Sequence, residues 1–384
     1  MTLTRRGAIA GTLAATAALV RAKRSRASAL RQAQDSLALA AAGGNRFFGS
    51  AVRIDQIDAR GDYRDAVLRE CTYLVPEFEM NWKRVEPLYG QLSFAPVDRL
   101  AAFASRNGKK VRGHTLLWHL GTPDWAAAML REQRDWSLIT RYFGSLIPRY
   151  GDVIDQWEVV NEPLDPGHRA DGLRENAFLE AFGWGYIYRA LQTARAFAPR
   201  AQLMINEYGL EYDLPDERAR RYLLLKLLER LRHAGAPLDA LGVQAHLDLR
   251  KGQISEKAIS TFLRDVANMG LAIVVTELDV KESDYIATVQ ERDRLVGDEV
   301  RRYLDVALAQ NAVTGVTTWG LSDLYTWLEV TAEDLARFPG AWGDGKGPGV
   351  NRGLPLDSSM RPTPMYFAIL QAFRSSRARS QKRS

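Results

Sequence analysis

Ala201-Gln-Leu-Met-Ile-Asn206, then Glu217–Ala234, then Ala240-Leu-Gly-Val-Gln-Ala-His246 read as a strand, a helix and a second strand. The two short runs are β-prone. Glu217–Ala234 spaces its apolar residues by three and four, which gathers them on one helical face. The same unit recurs along the chain. Candidate strands are Phe47–Val52, Thr72–Val75, Lys110–Trp118, Ile154–Asn161, Ala201–Asn206, Ala240–His246, Ala272–Thr276 and Gly315–Trp319. Helical patterns such as Tyr186–Ala198 lie between them, and residues 30–42 also look helical. Strand–helix alternation implies a parallel sheet. Eight repeats predict an α/β fold of the closed (β/α)8 TIM-barrel kind rather than an open sheet. An open nucleotide-binding sheet would want Gly-x-Gly-x-x-Gly after an early strand, and none is present.

The chain has 384 residues, 46% of them hydrophobic. That is enough for a large core, and an α/β barrel often fills about 250 residues or more as one domain. The expected single catalytic domain spans residues 30–373. The Pro339–Gly353 stretch reads as a long loop on the barrel mouth.

The net charge of +6 comes from the ends. Residues 1–29 carry six basic residues and residues 374–384 carry five, with no acid in either. Setting those eleven aside leaves 41 basic against 46 acidic residues, a body of about −5. A nucleic-acid surface needs basic residues clustered on a folded face, and the body has no such signal. The 374–384 tail reads as frayed and solvated.

Thr4-Arg5-Arg6 precedes an uncharged stretch, Gly7 to Val20, and Ala27-Ser28-Ala29 offers a small-residue cleavage site. Residues 1–29 therefore read as an export signal, and the paired arginines point to the twin-arginine route. The expected location is the periplasm or the medium. The apolar stretch is short of the about 20 residues that span a bilayer. The lone cysteine, Cys71, rules out an intramolecular disulfide and reads as a small buried hydrophobe.

Active sites of such barrels lie at the carboxyl ends of the strands, so the residues ending each strand matter most. They are Arg112-Gly-His114-Thr-Leu-Leu-Trp118-His119, Trp157-Glu-Val-Val-Asn161-Glu162-Pro163, Asn206-Glu-Tyr208, Gln244-Ala-His246, Thr276-Glu277-Leu-Asp279 and Thr318-Trp319-Gly-Leu-Ser-Asp323. Glu162 and Glu277 both end apolar strands. Two carboxylates facing one cavity suit glycoside hydrolysis, in which one protonates the leaving oxygen and the other attacks the anomeric carbon or activates water. Indole rings suit the apolar faces of sugars. A zinc site finds no His-x-x-x-His pair or cysteine cluster. His119, Trp82, Trp125, Trp136 and Trp184 read as core, and Trp157 stays undecided.

These motifs, in this order, resemble glycoside hydrolase family 10, the retaining endo-1,4-β-xylanases. The likeness runs from Phe47-Phe-Gly-Ser-Ala to Pro364-Met-Tyr-Phe. It implies Glu162 as acid/base and Glu277 as nucleophile. It implies Asn161 on the 2-hydroxyl of the sugar being cleaved, and His246 beside the nucleophile with Asp279 behind it. His114 and Trp118 would line the same subsite, with Glu77 and Gln244 also binding substrate. Trp319 and Trp327 would form its aromatic roof, and Asn206 and Tyr208 would support it. The resemblance implies a β-1,4-linked polysaccharide as substrate; the chain is expected to be monomeric by default, with no cofactor and no metal.

One stretch departs from the family pattern. In Glu77-Phe78-Glu79-Met80-Asn81-Trp82-Lys83, Phe78 stands where the family has asparagine and Asn81 where it has lysine. Gly121 replaces a glutamine. The family uses these positions to grip the sugar one unit further from the cut, and Lys83 is a possible substitute for the lysine. The expectation is complete reaction machinery with an altered neighbouring subsite. Decorated xylan, mixed-linkage glucan or a short aryl glycoside become alternative substrates. A shift to transglycosylation, or a sugar-binding protein without catalysis, is the remaining alternative.

Overall fold

The computed structural model describes residues 36–282, 287–328 and 351–381. Eight parallel strands close on themselves: β1 (Phe47–Val52), β2 (Tyr73–Pro76), β3 (Lys110–Gly113), β4 (Ile154–Asn161), β5 (Gln202–Glu207), β6 (Ala240–Val243), β7 (Ala272–Lys281) and β8 (Val313–Thr318). Each pairs with its sequence neighbours, and β8 pairs with both β7 and β1, so no edge is left exposed. A helix follows every strand, from Gly61–Glu70 after β1 to Pro364–Gln381 after β8. This is the expected (β/α)8 barrel.

Two small-residue positions show how the strands fit. A Cβ on Gly113 would lie 2.2 Å from the ring of Trp157 on β4, and one on Gly315 would lie 2.3 Å from the ring of Phe47 on β1. Large rings on one strand thus require glycine on the next. Trp157, undecided from sequence, is fully buried core. Met204, Ala240 and Val274, with Phe47 and Ala272 against them, form a small cluster near the amino ends of four strands.

The strand ends differ from the sequence reading. The run expected as Lys110–Trp118 stops at Gly113, and Leu117–Trp118 resumes as a separate short strand against Val160 and Asn161. The run Ala240–His246 breaks after Val243. Ala245 takes a positive φ of 61°, and His246–Asp248 then pairs with Asp279 to Lys281. Strand β7 runs on to Lys281, so Glu277 sits inside it rather than ending it. Of the three runs, only β7 stays extended through its polar end.

The segment expected to fray from residue 374 is instead helical through Gln381. Ser376 is buried and accepts a bond from Arg46 Nη1 at 3.1 Å, and Ser375 accepts one from Arg301 at 3.1 Å. Basic composition concealed a docking face of small residues. The short helix Leu37–Ala42 packs against this last helix. The leader and residues 30–35 lie outside the described residues, as does most of the Pro339–Gly353 loop. Its described end is pinned to β7, since Val280 N–H donates to Gly353 O at 3.2 Å and Asn351 Nδ2 to Val280 O at 3.1 Å. Among the described residues no helix is long and apolar enough to cross a membrane.

Candidate active site

Glu162 follows β4 with a positive φ of 55°, a conformation that costs a non-glycine residue of order 1–3 kcal/mol. Its N–H donates to Asn206 O at 2.9 Å, and Arg174 Nε donates to its carbonyl at 3.1 Å. The turn is therefore held from both sides. Its carboxylate faces Asn161 Nδ2 at 3.4 Å and Gln244 Nε2 at 3.3 Å.

A chain of amides joins this carboxylate to the second one. Gln244 Nε2 also donates to Asn161 Oδ1 at 3.2 Å, as does Asn206 Nδ2 at 3.0 Å. The same Asn206 Nδ2 lies 2.6 Å from Glu277 Oε1. Thr276 Oγ1 donates to Asn206 Oδ1 at 2.7 Å, which fixes the amide's orientation. Gly242 makes room for this: a Cβ there would sit 2.3 Å from Asn206 Oδ1. Asn161, Asn206 and Gly242 are register partners on β4, β5 and β6, so parallel pairing brings them together.

The other oxygen of Glu277 meets His246 Nε2 at 3.2 Å, and His246 Nδ1 meets Asp279 at 2.8 Å. Burial alone would lower the imidazole's pKa, but the adjoining Asp279 and Glu277 carboxylates hold it well above the usual value. Trp327 Nε1 donates to the far oxygen of Asp279. The Trp327 ring lies 5.3 Å from that of His246, and Trp319 packs on Ala51 and Val75 with Trp327 beside it.

Under this layer lies a buried charge network that sequence reasoning missed. Arg112 Nε is 2.7 Å from Glu158 Oε1, and His114 Nδ1 is 2.8 Å from Glu158 Oε2. Arg112 also donates to Thr317 Oγ1 at 2.8 Å and to Thr276 O at 2.7 Å, so it spans the barrel interior from β3 to β7 and β8. All three side chains are essentially inaccessible. The available signal was a carboxylate in the middle of an apolar strand beside an arginine on the preceding one. His114 carries its ring to 4.9 Å from Trp319 and 6.2 Å from Trp118. Ligand atoms of His114, Glu158 and Glu277 lie within 4.8 Å of one another, the one such grouping among the described residues. The Arg112 guanidinium already supplies positive charge there.

Arg174 was also unforeseen. It donates to Leu164 O and to the Tyr208 hydroxyl, at 2.9 and 2.8 Å, which places Tyr208 as a brace for the Glu162 turn. Nearby Glu207 is fully buried. Burial raises its carboxyl to about 7, although Arg220 works in the other direction. Glu77 is half-buried just beyond β2, where its N–H donates to Val52 O at 3.1 Å and its charge reaches Arg53. His119, expected in the core, is half-buried, and its pKa is pushed down to about 4, first by burial and then by Arg174, which keeps it neutral.

The altered stretch lies beside Trp118. Lys83 N–H donates to Gly121 O at 2.8 Å, which ties the two departing segments together. Asn81 is buried, Phe78 half-buried and Lys83 exposed. Lys83 and Asn81 line the same hollow.

The arrangement has two carboxylates linked by donors at one barrel mouth, under indole rings. It can protonate one oxygen and attack one carbon of a bound sugar. The sequence model described as glycosyl hydrolase family 10 matches residues 36–372. The chain is 31% identical over 301 residues to endo-1,4-beta-xylanase C of Phanerodontia chrysosporium, covering 76% of this chain and 71% of that protein. It is 33% identical over 301 residues to endo-1,4-beta-xylanase A of Caldicellulosiruptor saccharolyticus, covering 73% and 84%. In structure it is similar to xylanase B of Clostridium stercorarium F9, with a TM-score of 0.74 and 27% identity over 87% of this chain and 99% of that one. The fold also matches xylanase 10B of Thermotoga maritima, with a TM-score of 0.77 and 24% identity over 90% and 99%.

Proposed function

The chain belongs to glycosyl hydrolase family 10, and from this premise we infer that it is a retaining, endo-acting hydrolase of the β-1,4 bonds of xylan. The observation that carries the assignment of roles is the amide chain from Glu162 through Gln244, Asn161 and Asn206 to Glu277. It sets two carboxyl groups toward one sugar with different surroundings.

Glu277 attacks the anomeric carbon while Glu162 gives its proton to the glycosidic oxygen. The C–O bond breaks, and the sugar remains as an ester of Glu277. Water then gives a proton to Glu162, attacks the same carbon and releases Glu277. His246 and Asn206 place one donor on each oxygen of Glu277, and Asp279 and Trp327 keep His246 in line. Asn161 is oriented by the two amides that donate to its oxygen, which leaves its own N–H groups for Glu162 and for a sugar hydroxyl. Trp319 and Trp327 offer ring faces to the pyranose, and Trp118 and His114 border the same position.

The test is hydrolysis of xylan with the anomer followed by proton NMR. The first product should be the β-anomer, appearing before mutarotation, with internal cuts reducing viscosity early. First release of the α-anomer would overturn the double displacement.

We further propose that residues 1–29 direct export by the twin-arginine route. Replacing Arg5 and Arg6 together by lysine should leave unprocessed protein in the cytoplasm, seen as the longer form by immunoblot of fractionated cells. Normal processing in the double variant would point to the general route.

A further inference from the structure

Glu162 acts from a strained turn. Its φ of 55° lies in the left-handed region, and Pro163 directly after it narrows the conformations open to it further. Such a turn persists only where its surroundings over-determine it. The backbone shows how that is done. Glu162 N–H donates to Asn206 O at 2.9 Å, and Pro163 O accepts from Arg174 N–H at 2.7 Å. Arg174 also donates from Nε to Glu162 O at 3.1 Å and from Nη2 to Leu164 O at 2.9 Å. Proline has no N–H. One donor of the turn is left, the N–H of Leu164, and its acceptor is Glu207 Oε2 at 3.0 Å.

Glu207 is placed for this by the strand that holds the rest of the site. Successive side chains of a strand point to opposite faces. Asn206 sends its amide to Asn161 and Glu277. Glu207, next along β5, turns to the other face and meets the turn that carries Glu162. There its second oxygen accepts from Tyr208 N–H at 3.0 Å and faces Arg220 Nη1 at 3.3 Å. The same Nη1 donates to Leu164 O at 2.9 Å. The Arg220 guanidinium is itself seated over the Tyr208 ring, 4.2 Å from its centre. Glu207 has no exposed surface, so it meets no substrate directly. Only a carboxylate fits the position. N–H groups from two segments approach its two oxygens, whereas an amide would offer one oxygen and set its NH₂ against the other N–H.

We propose that Glu207 is a positioning residue for the reaction: through the Leu164 N–H it fixes the turn that aims Glu162 at the glycosidic oxygen. The proposal rests on the reading of Glu162 as the acid/base. Its consequence is selective. A xylan bond needs the proton of Glu162, because a sugar alkoxide is a poor leaving group. A dinitrophenolate leaves without that proton. Loosening Glu162 therefore slows cleavage of the first bond and spares the second. General damage to the barrel mouth, which Glu277 shares, slows both.

The experiment measures kcat/KM, which reports the steps up to the glycosyl ester, for the full-length parent, Glu207→Gln and Glu162→Ala. The substrates are xylotetraose and dinitrophenyl β-xylobioside. A misplacement of about 1 Å costs on the order of 10²-fold, so Glu207→Gln should lose about 30-fold or more on xylotetraose and less than about threefold on the dinitrophenyl substrate. On xylotetraose the loss should fall on kcat, with KM within about twofold of the parent. Circular dichroism checks that the variant is folded. If it is not, Glu207→Asp takes its place: it keeps a charge for Arg220 but draws it back from Leu164 by one methylene, and the same split is expected. Parent-like rates on both substrates, or equal losses on both, would overturn the positioning role and leave the acid/base reading intact. If Glu162→Ala itself loses equally on both substrates, the acid/base reading fails and the proposal fails with it.

Discussion

Glu277→Ala is expected to lose at least about 10⁴-fold in kcat on xylan, or about 5 kcal/mol of transition-state stabilisation. Alanine cannot form the glycosyl ester, and the Asn206 and His246 donors are left without their acceptor. The cavity vacated by the carboxylate lies on the face from which the nucleophile attacks. Azide should therefore restore cleavage of an aryl xyloside with a good leaving group and yield the inverted glycosyl azide. Glu162→Ala should respond differently. It should keep the first step on activated leaving groups, accumulate the ester, and with azide give the retained product. NMR of the two azide products separates the roles. Retained product from Glu277→Ala, or parent-like turnover in it, would show the assignments to be wrong.

The largest expected loss of stability comes from a residue that touches no substrate. Glu158→Ala removes the carboxylate between Arg112 and His114 and leaves the guanidinium buried in the barrel without its counter-charge. Breaking such a pair from one side costs about 3–5 kcal/mol. The midpoint of chemical denaturation should fall accordingly. The pH dependence should change too. Burial works against ionising Glu158, but the charges of His114 and Arg112 hold its carboxyl below the usual range. Its contribution is thus present above the ordinary carboxylate pKa of about 4.3 and lost as pH falls through the lowered folded value. His114 is pushed down by burial and raised overall by Glu158, so its contribution is present below about 6.5 and lost above its raised folded value. The parent should lose stability on the acid side, and Glu158→Ala should lack that part of the slope. A variant as stable as the parent at pH 6, with the same acid limb, would mean the network contributes nothing net.

Much of this molecule was legible in one dimension. Apolar runs of four to eight residues alternating with 3.6-periodic helices imply parallel pairing, because a helix returning the chain to the same end leaves the next strand no other direction. Ile154–Asn161 was read to the residue, since it carries Ile154, Trp157, Val159 and Val160 and is stopped by Glu162-Pro163. The polar residues that end the strands marked the mouth, because a barrel interior tolerates polar groups only where they find one another. Glu162, Glu277, Asn161, Gln244, His246 and Asp279 could all be named from that pattern.

Tertiary structure decided what the strands do beyond their apolar cores. Glu277 lies inside β7, and His246 begins a separate strand, because pairing at the mouth depends on partners from three neighbouring strands. Local sequence does not carry that information. The same holds for Arg112, whose partners come from β4, β7 and β8, up to 205 positions away. The last helix was concealed for a related reason. Its basic residues suggested a solvated tail, but Ser375 and Ser376 find Arg301 and Arg46 on elements distant in sequence. Gly121 and Asn81, forty residues apart, line one hollow, and the Lys83–Gly121 hydrogen bond ties their segments together. Composition and periodicity report what one segment prefers to bury. Charge pairing and cavities depend on which segments meet, and closure of the barrel determines that.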